Sequence, residues 1–275
     1  MPSLAGKVVG ITEERRAVEL ARIVENLGGM PIVAPTISVE DAVDLDELAT
    51  LRQRLRAGHL DWLVFQTGIG VRRLIAAVGA DEASDLIAQL GRCQLAVRGP
   101  KPRQALVEVG LPIHLAPADA TTVGLIASLA DVPLVGRSVA VQRIGDDNDV
   151  LIDALRNQGA EVIEFTLYRY GPPPDRDKVR ALIDRTLDGQ LDALTFTSSP
   201  AVRGFFQSAE SADQARSLVS ALAHRVVVAA VGPATTAALA SHGISPRVMP
   251  PRFTMGAMIV ELARALEGAP AVQEV

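Results

Sequence analysis

At 275 residues the chain can form one large domain or two of ordinary size, with a substantial core in either case. Hydrophobic residues at 48% and charged residues at 21% exclude a disordered chain, and a net charge of −5 argues against a nucleic-acid surface, which needs a basic footprint. The longest apolar runs, such as "VVVAAV" at 226–231, fall well below the roughly 18 residues of a membrane span, and the single Cys93 allows no internal disulfide. The expectation is a soluble, cytoplasmic protein with no membrane and no nucleic-acid partner. Aromatics are only 3%, so Leu, Val, Ile and Ala must build the core, which suits parallel sheets covered by helices.

In chain order the pattern predicts a strand at 7–11, a helix at 14–27, a strand at 31–35 and a helix near 44–57. A strand at 61–66, a helix at 69–78 and a strand at 93–97 follow, then a helix at 102–109, a short strand at 113–116 and a helix at 121–130. Such alternation means βαβ units, parallel sheets and right-handed crossovers. The second half then repeats the first. "LDWLVFQTGIGVRRLI" (60–75) matches "LDALTFTSSPAVRGFF" (191–206), and "VRGPKPRQAL" (97–106) matches "AVGPATTAAL" (230–239). "TTVGLIASLA" (121–130) matches "TMGAMIVELA" (254–263), and "GKVVGI" (6–11) pairs with "GRSVAV" (136–141). Gly28 and Gly159 end the first helix of each copy, where a left-handed C-cap is expected. The chain therefore reads as two copies of one α/β unit. The "GPPPD" stretch at 171–175 suggests a crossing between domains, and the residues after 267 read as a tail.

In open parallel sheets, ligands bind beyond the carboxyl ends of strands. The loops there are "TEERR" (12–16), "QTGIG" (66–70), "QRIGDDND" (142–149) and "TSSP" (197–200), joined by Gly-Pro turns at 99–100 and 232–233. Each couples small or hydroxyl residues to a helix start, an arrangement that either caps the helix or binds a carboxylate or phosphate. Other motifs fail. In "GIGVRR" (68–73) Arg73 stands where a dinucleotide fingerprint needs its third glycine. "DDND" (146–149) lacks the glycine and glutamate of a calcium loop, with Leu151 and Asn157 in their places, and suits a helix N-terminus. His59, His114, His224 and His242 show no metal-ligand spacing, so surface or capping roles are expected of them and no metal is expected. No G-x-S-x-G elbow occurs, and Cys93 reads as a small core residue.

The strand-"FTSSPAV" loop, "AAVGPATTAALASHGI" and "GAEVIEFTLYRY", in this order on a duplicated α/β chain, resemble the uroporphyrinogen-III synthase family from about Leu4 to Leu266. The resemblance implies two flavodoxin-like parallel-sheet domains joined by a two-stranded linker. Residues 1–36 with 171–267 would form one domain and 39–168 the inserted one, with 268–275 as the tail. The implied reaction needs no cofactor or metal: it cyclises hydroxymethylbilane, a linear tetrapyrrole, with loss of water and inversion of ring D. Tyr168 aligns with a family tyrosine proposed to hydrogen-bond the departing hydroxyl, the bland reading being a half-buried aromatic on a linker strand. Ser198, Ser199, Gly232, Thr235 and Thr236 map onto the family's cleft loops. Thr12, Gln66, Thr67, Gly68, Gly99 and Arg143, from the other strand-end loops, complete the expected substrate-binding set with Arg98 and Lys101. A monomer is expected.

The first copy departs from the family. "QTGIGV" replaces a hydroxyl-rich loop, and "VRGPKP" (97–102) puts Arg98, Lys101 and Arg103 where hydroxyls are usual. Extra positive charge still suits carboxylates. It also suits a second reading, in which the chain is a non-catalytic tetrapyrrole or acidic small-molecule sensing module of a transcriptional regulator.

Overall fold

The computed structural model describes residues 2–144, 149–209 and 211–267. The chain divides into two compact units, residues 1–39 with 170–275, and residues 40–169. The elements in order are β1 (Val8–Ile11), α1 (Ala17–Asn26), β2 (Met30–Val33), β3 (Ser38–Asp41), α2 (Leu45–Ala57), β4 (Trp62–Phe65) and α3 (Gly68–Ala77). Then come α4 (Ala80–Leu90), β5 (Gln94–Val97), α5 (Pro100–Val107), α6 (Thr122–Leu129), β6 (Ser138–Gln142), α7 (Asp149–Asn157), β7 (Glu161–Phe165) and β8 (Tyr168–Gly171). The remainder is α8 (Arg176–Leu187), β9 (Ala193–Phe196), α9 (Ser199–Gln207), α10 (Ala212–His224), β10 (Val227–Ala230), α11 (Pro233–Ala240) and α12 (Met255–Glu267).

The first unit is a four-stranded parallel sheet in the order β10-β9-β1-β2. Its strands are buried on both faces, which is why they read as continuous apolar runs. Ala193, Val227 and Ala229 point to one side, where Leu20 of α1 and Met258 and Leu262 of α12 cover them. Leu194, Phe196, Val228 and Ala230 point to the other, against Val179 and Leu182 of α8, Phe205 of α9 and Leu218 of α10. The second unit is a four-stranded parallel sheet in the order β5-β4-β6-β7. Val64, Ala96, Val139 and Val141 meet Leu125 and Leu129 of α6 and Leu151, Ile152 and Leu155 of α7. The first unit thus takes β1 and β2 from one sequence copy and β9 and β10 from the other, and the second unit does the converse. β3 and β8 pair as a separate two-stranded sheet.

The repeated "LD" has one structural reason in both units. The Asp192 carboxylate accepts from the Val8 backbone N–H (2.8 Å) and from Lys7 Nζ (2.9 Å), fixing β9 beside the start of β1. Asp61 does the same for β4 and β6, accepting from Ser138 N–H (2.9 Å) and Arg137 (2.8 Å). Gly28 and Gly159 lie at φ +85° and +82°, the left-handed ends expected of them.

Three local expectations need correction. The segment 113–116 is not a strand: a single bridge joins Ala96 to Leu115, and its copy joins Ala229 to Val248. The first helix begins at Ala17 rather than 14. Helices α4 and α10 were not anticipated; α4 buries only Leu86 and Leu90, too sparse an apolar stripe to stand out.

Candidate functional site

In each unit the strand order reverses between two adjacent strands, β1 and β9 in the first, β4 and β6 in the second. Crevices beyond the carboxyl ends of such strands are where doubly wound sheets place ligands. The two matched loops of the repeat lie there: Thr197–Ser199 after β9, and Gln66–Gly68 after β4.

In the second unit Thr67 caps α3, its Oγ1 accepting from Gly70 N–H at 3.1 Å. The same hydroxyl lies 2.8 Å from the Tyr168 phenol oxygen. Tyr168 is fully buried rather than half-buried, and the Arg73 guanidinium sits 5.5 Å from its ring centroid. Arg73 is held in turn by Asp41 and by the Leu167 carbonyl. Two expected site residues from distant parts of the sequence are therefore in direct contact.

Sequence reasoning missed the residue beneath them. Gln142 ends β6 and is completely buried. Its Oε1 accepts from the backbone N–H of Gln66 (3.2 Å) and Thr67 (3.1 Å), and its Nε2 donates to Thr67 Oγ1 (3.0 Å) and the Arg143 carbonyl (3.1 Å). Gln66 Nε2 donates back to the Gln142 carbonyl at 2.8 Å. A Cβ at Gly70 would stand 2.2 Å from the Gln142 amide, so glycine there is the space this side chain occupies. A signal existed in the repeat: position 142 is the counterpart of Thr12.

The neighbouring expected residues frame this network. Arg98 donates its backbone N–H to the Phe65 carbonyl (3.0 Å), and Gly99 is the N-cap of α5. A Cβ at Gly68 would meet the Lys101 carbonyl at 2.7 Å, so the loop rests directly on the first turn of α5. Arg143 is engaged with Glu164 at 2.8 Å, and Glu164 also holds Arg156. Residues 145–148 of the loop after β6 lie outside the described residues, as do residues 268–275 of the expected tail.

In the first unit, Ser198 caps α9 through Ala201 N–H (3.3 Å), and Ser199 Oγ donates to the Ala234 carbonyl (2.8 Å), tying α9 to α11. Gly232 caps α11. Thr235 is buried, and Thr236 lies 3.3 Å from Met249 sulfur. Thr12 is buried and donates to the Thr195 carbonyl at 2.9 Å. Several of these hydroxyls thus have structural bonds. Pro200, Arg203 and Gln207 run from this loop along α9 into a cavity of about 600 Å³, which Tyr170, Arg176 and Arg180 also line. None of these three arginines was singled out from sequence. Among the described residues no group of three or more His, Cys, Asp or Glu side chains is placed to hold a metal ion, and no helix is long and apolar enough to cross a membrane. His114 and Cys93 serve the fold: the imidazole Nδ1 accepts from Leu95 N–H (2.9 Å), and burial pushes the thiol up to about 11.

Strand order, inserted unit and polar loops at both reversal points together define a duplicated, doubly wound α/β protein. The chain belongs to the uroporphyrinogen-III synthase family: the family model for uroporphyrinogen-III synthase HemD matches residues 18–260. A mutant uroporphyrinogen III synthase of the extremely thermophilic bacterium Thermus thermophilus, known from its crystal structure, superposes with a TM-score of 0.76 at 30% identity, covering 96% of this chain and 100% of that one. The uncharacterized protein YjjA of Bacillus subtilis is 32% identical over 268 residues, 96% of this chain and 97% of its own length. The uroporphyrinogen-III synthase of Chlorobaculum parvum is 26% identical over 185 residues, 67% of this chain and 72% of its own.

Proposed function

We propose that this protein is a uroporphyrinogen-III synthase, a hydro-lyase that cyclises hydroxymethylbilane with loss of water and inversion of ring D. It acts without cofactor or metal, as a cytoplasmic monomer. The observation that carries the reading is the Tyr168–Thr67 hydroxyl pair at the end of β4, in a chain matched to the family along nearly its whole length. The reaction asks for little covalent chemistry: a hydroxyl must be helped to leave, and a flexible chain must be held in the fold that disfavours direct closure. Tyr168 hydrogen-bonds the departing hydroxyl. Carboxylates of the substrate suit the helix N-termini of each unit, at Thr67 and Gly99 with Arg98 and Lys101 in the second, and at Ser198 and Gly232 with the cavity arginines in the first.

The test is a coupled assay with freshly generated hydroxymethylbilane, separating type III from type I uroporphyrinogen, with and without chelator. Type III product unaffected by chelator is expected, and Tyr168→Phe should slow turnover by about 10²-fold with the circular dichroism unchanged. Only the type I isomer from well-folded protein overturns the reading; tight tetrapyrrole binding in that case assigns a sensing role instead.

A further inference from the structure

The loop leading into α12 of the first unit differs from its copy in the second unit where side chains can reach a ligand. Val248 bridges Ala229 in parallel, as Leu115 bridges Ala96, so in both units the residues that follow leave at the carboxyl end of the sheet. They read "MPPRFT" (249–254) in the first unit and "APADAT" (116–121) in the second. The shared residues serve the fold. Pro250 and Pro117 are buried, and the hydroxyls of Thr254 and Thr121 accept from Ala257 N–H (3.3 Å) and Gly124 N–H (3.0 Å) at the starts of α12 and α6. Met249, Arg252 and Phe253, by contrast, stand where the copy has Ala116, Asp119 and Ala120.

The copy shows how little the fold asks of these positions. A Cβ at Gly99 would stand 3.0 Å from the Ala120 methyl, and one at Gly232 would stand 3.3–3.4 Å from Phe253 atoms, so a methyl group already fills the place that the phenyl ring covers. Asp119 accepts from Thr121 N–H (3.1 Å) and its hydroxyl (2.8 Å), whereas among the described residues no side chain pairs with Arg252. Five of the six phenylalanines are buried, and Phe253 is the one left 37% exposed. Met249 is 46% exposed, with its sulfur 3.3 Å from Thr236 Oγ1. The exposed cluster thus adjoins Gly232 and Thr236, two residues of the expected substrate-binding set. A phenyl face takes another flat π system, a thioether suits an aromatic edge, and a guanidinium forks onto a carboxylate. One aromatic ring bearing a carboxylate satisfies all three. We propose that Met249, Arg252 and Phe253 form a specificity subsite for such a ring of the ligand. Under the synthase reading, on which this rests, the ring is one pyrrole of hydroxymethylbilane. The loop 116–121 lacks all three groups, so the second unit has no equivalent.

Turnover of hydroxymethylbilane reads the subsite first. A contact made equally in the ground and transition states raises KM when lost and spares kcat. Phe253→Ala, which installs the residue of the copy, and Arg252→Ala should each raise KM about fivefold with kcat within about twofold and urea unfolding unchanged. Phe253→Tyr keeps the ring and should stay close to wild type. Raising the salt from about 50 to about 500 mM should raise KM more in the wild type than in Arg252→Ala, which has no guanidinium left to screen. A KM change below about twofold in either alanine variant, with folding intact, overturns the inference, and so does an equal salt dependence of wild type and Arg252→Ala. Formation of only the type I isomer by the wild type is a different result, which removes the synthase reading. Binding of uroporphyrin, a stable carboxylate-bearing tetrapyrrole, then decides. A wild-type Kd at least about threefold tighter than that of both alanine variants upholds the subsite, and a smaller difference or no binding overturns it.

Discussion

Replacing Gly70 by alanine tests whether the Gln142 amide is as tightly seated as its hydrogen bonds suggest. Gly70 lies in α3, where alanine is favoured over glycine by about 1 kcal/mol, so a position with room would gain stability. Here the new Cβ would stand 2.2 Å from both Cδ and Oε1 of Gln142 and 2.5 Å from Nε2. The amide must move, and it leaves behind the buried N–H of Gln66 and the N–H of Thr67, each costing about 1–3 kcal/mol when unsatisfied. Net of the helix gain, Gly70→Ala should destabilise the second unit by about 1–5 kcal/mol. The repeat itself supplies the remedy: the first unit has Ala201 and Thr12 at the corresponding places, both buried. Gly70→Ala with Gln142→Thr should therefore be more stable than Gly70→Ala alone by about 1 kcal/mol, a coupling that distant sites do not show. Trp62, the sole tryptophan, is on β4 of the same unit, so its fluorescence during urea unfolding reads the change where it occurs. A neutral or stabilising Gly70→Ala, or a double variant no better than the single, would refute the reasoning.

Asp61→Ala and Asp192→Ala each remove a backbone N–H acceptor at corresponding places, and each should cost about 1–2 kcal/mol, discounted for partial exposure. Trp62 fluorescence reads the first and circular dichroism the second; a neutral result for either breaks the equivalence. Cys93 is buried with its thiol pushed up to about 11, so a disulfide reagent at pH 8 should label it only as fast as the chain unfolds, and rapid labelling of native protein would contradict this. Burial also lowers the pKa of His242, whose ring stacks on Phe206 at 4.1 Å in a groove shared with Arg216 and His224. The unfolded chain takes up that proton first, so this stability is full above the ordinary value of about 6.5 and falls as pH drops through it. His242→Phe should keep the stack and flatten the slope of stability between pH 7.5 and 5.5; an unchanged slope would assign it elsewhere.

Much of the fold was legible because its signals are local. Strand-helix alternation, paired Asp residues and glycine C-caps repeat along the chain, and each is satisfied within a few residues or by a neighbouring strand. The site was legible only as loops. Thr67 and Tyr168 were both singled out, but nothing local joins a β4 loop to β8; that contact exists because β4 pairs β6 and β6 pairs β7. Gln142 was legible only as the first residue of the loop 142–149, because a glutamine closing an apolar strand is an ordinary end residue, and its role appears only once Gln66, Thr67 and Gly70 surround it. The cavity arginines escaped for a similar reason. Arg176 and Arg180 are one turn apart on α8, while Arg203 is on α9, and no run of sequence brings the three together.

The difference between the loops "QTGIG" and "TSSP" acquires a physical meaning from the same geometry. Ser199 and Gly68 are counterparts, and so are Ala234 and Lys101. In the first unit the Ser199 hydroxyl bridges α9 to α11 by donating to the Ala234 carbonyl at 2.8 Å. In the second, α3 approaches α5 so closely that a Cβ at 68 would stand 2.7 Å from the Lys101 carbonyl. Where the first loop has a hydroxyl as a helix-to-helix tie, the second has direct backbone packing. Gly70 against Ala201 follows likewise from Gln142 standing where the other copy has Thr12. What the loop keeps is Thr67, which caps its helix as Ser198 does and in addition holds Tyr168. At positions 68 and 70 the departure from the family's pattern thus falls on packing positions, and Thr67 keeps a hydroxyl beside the Tyr168 phenol.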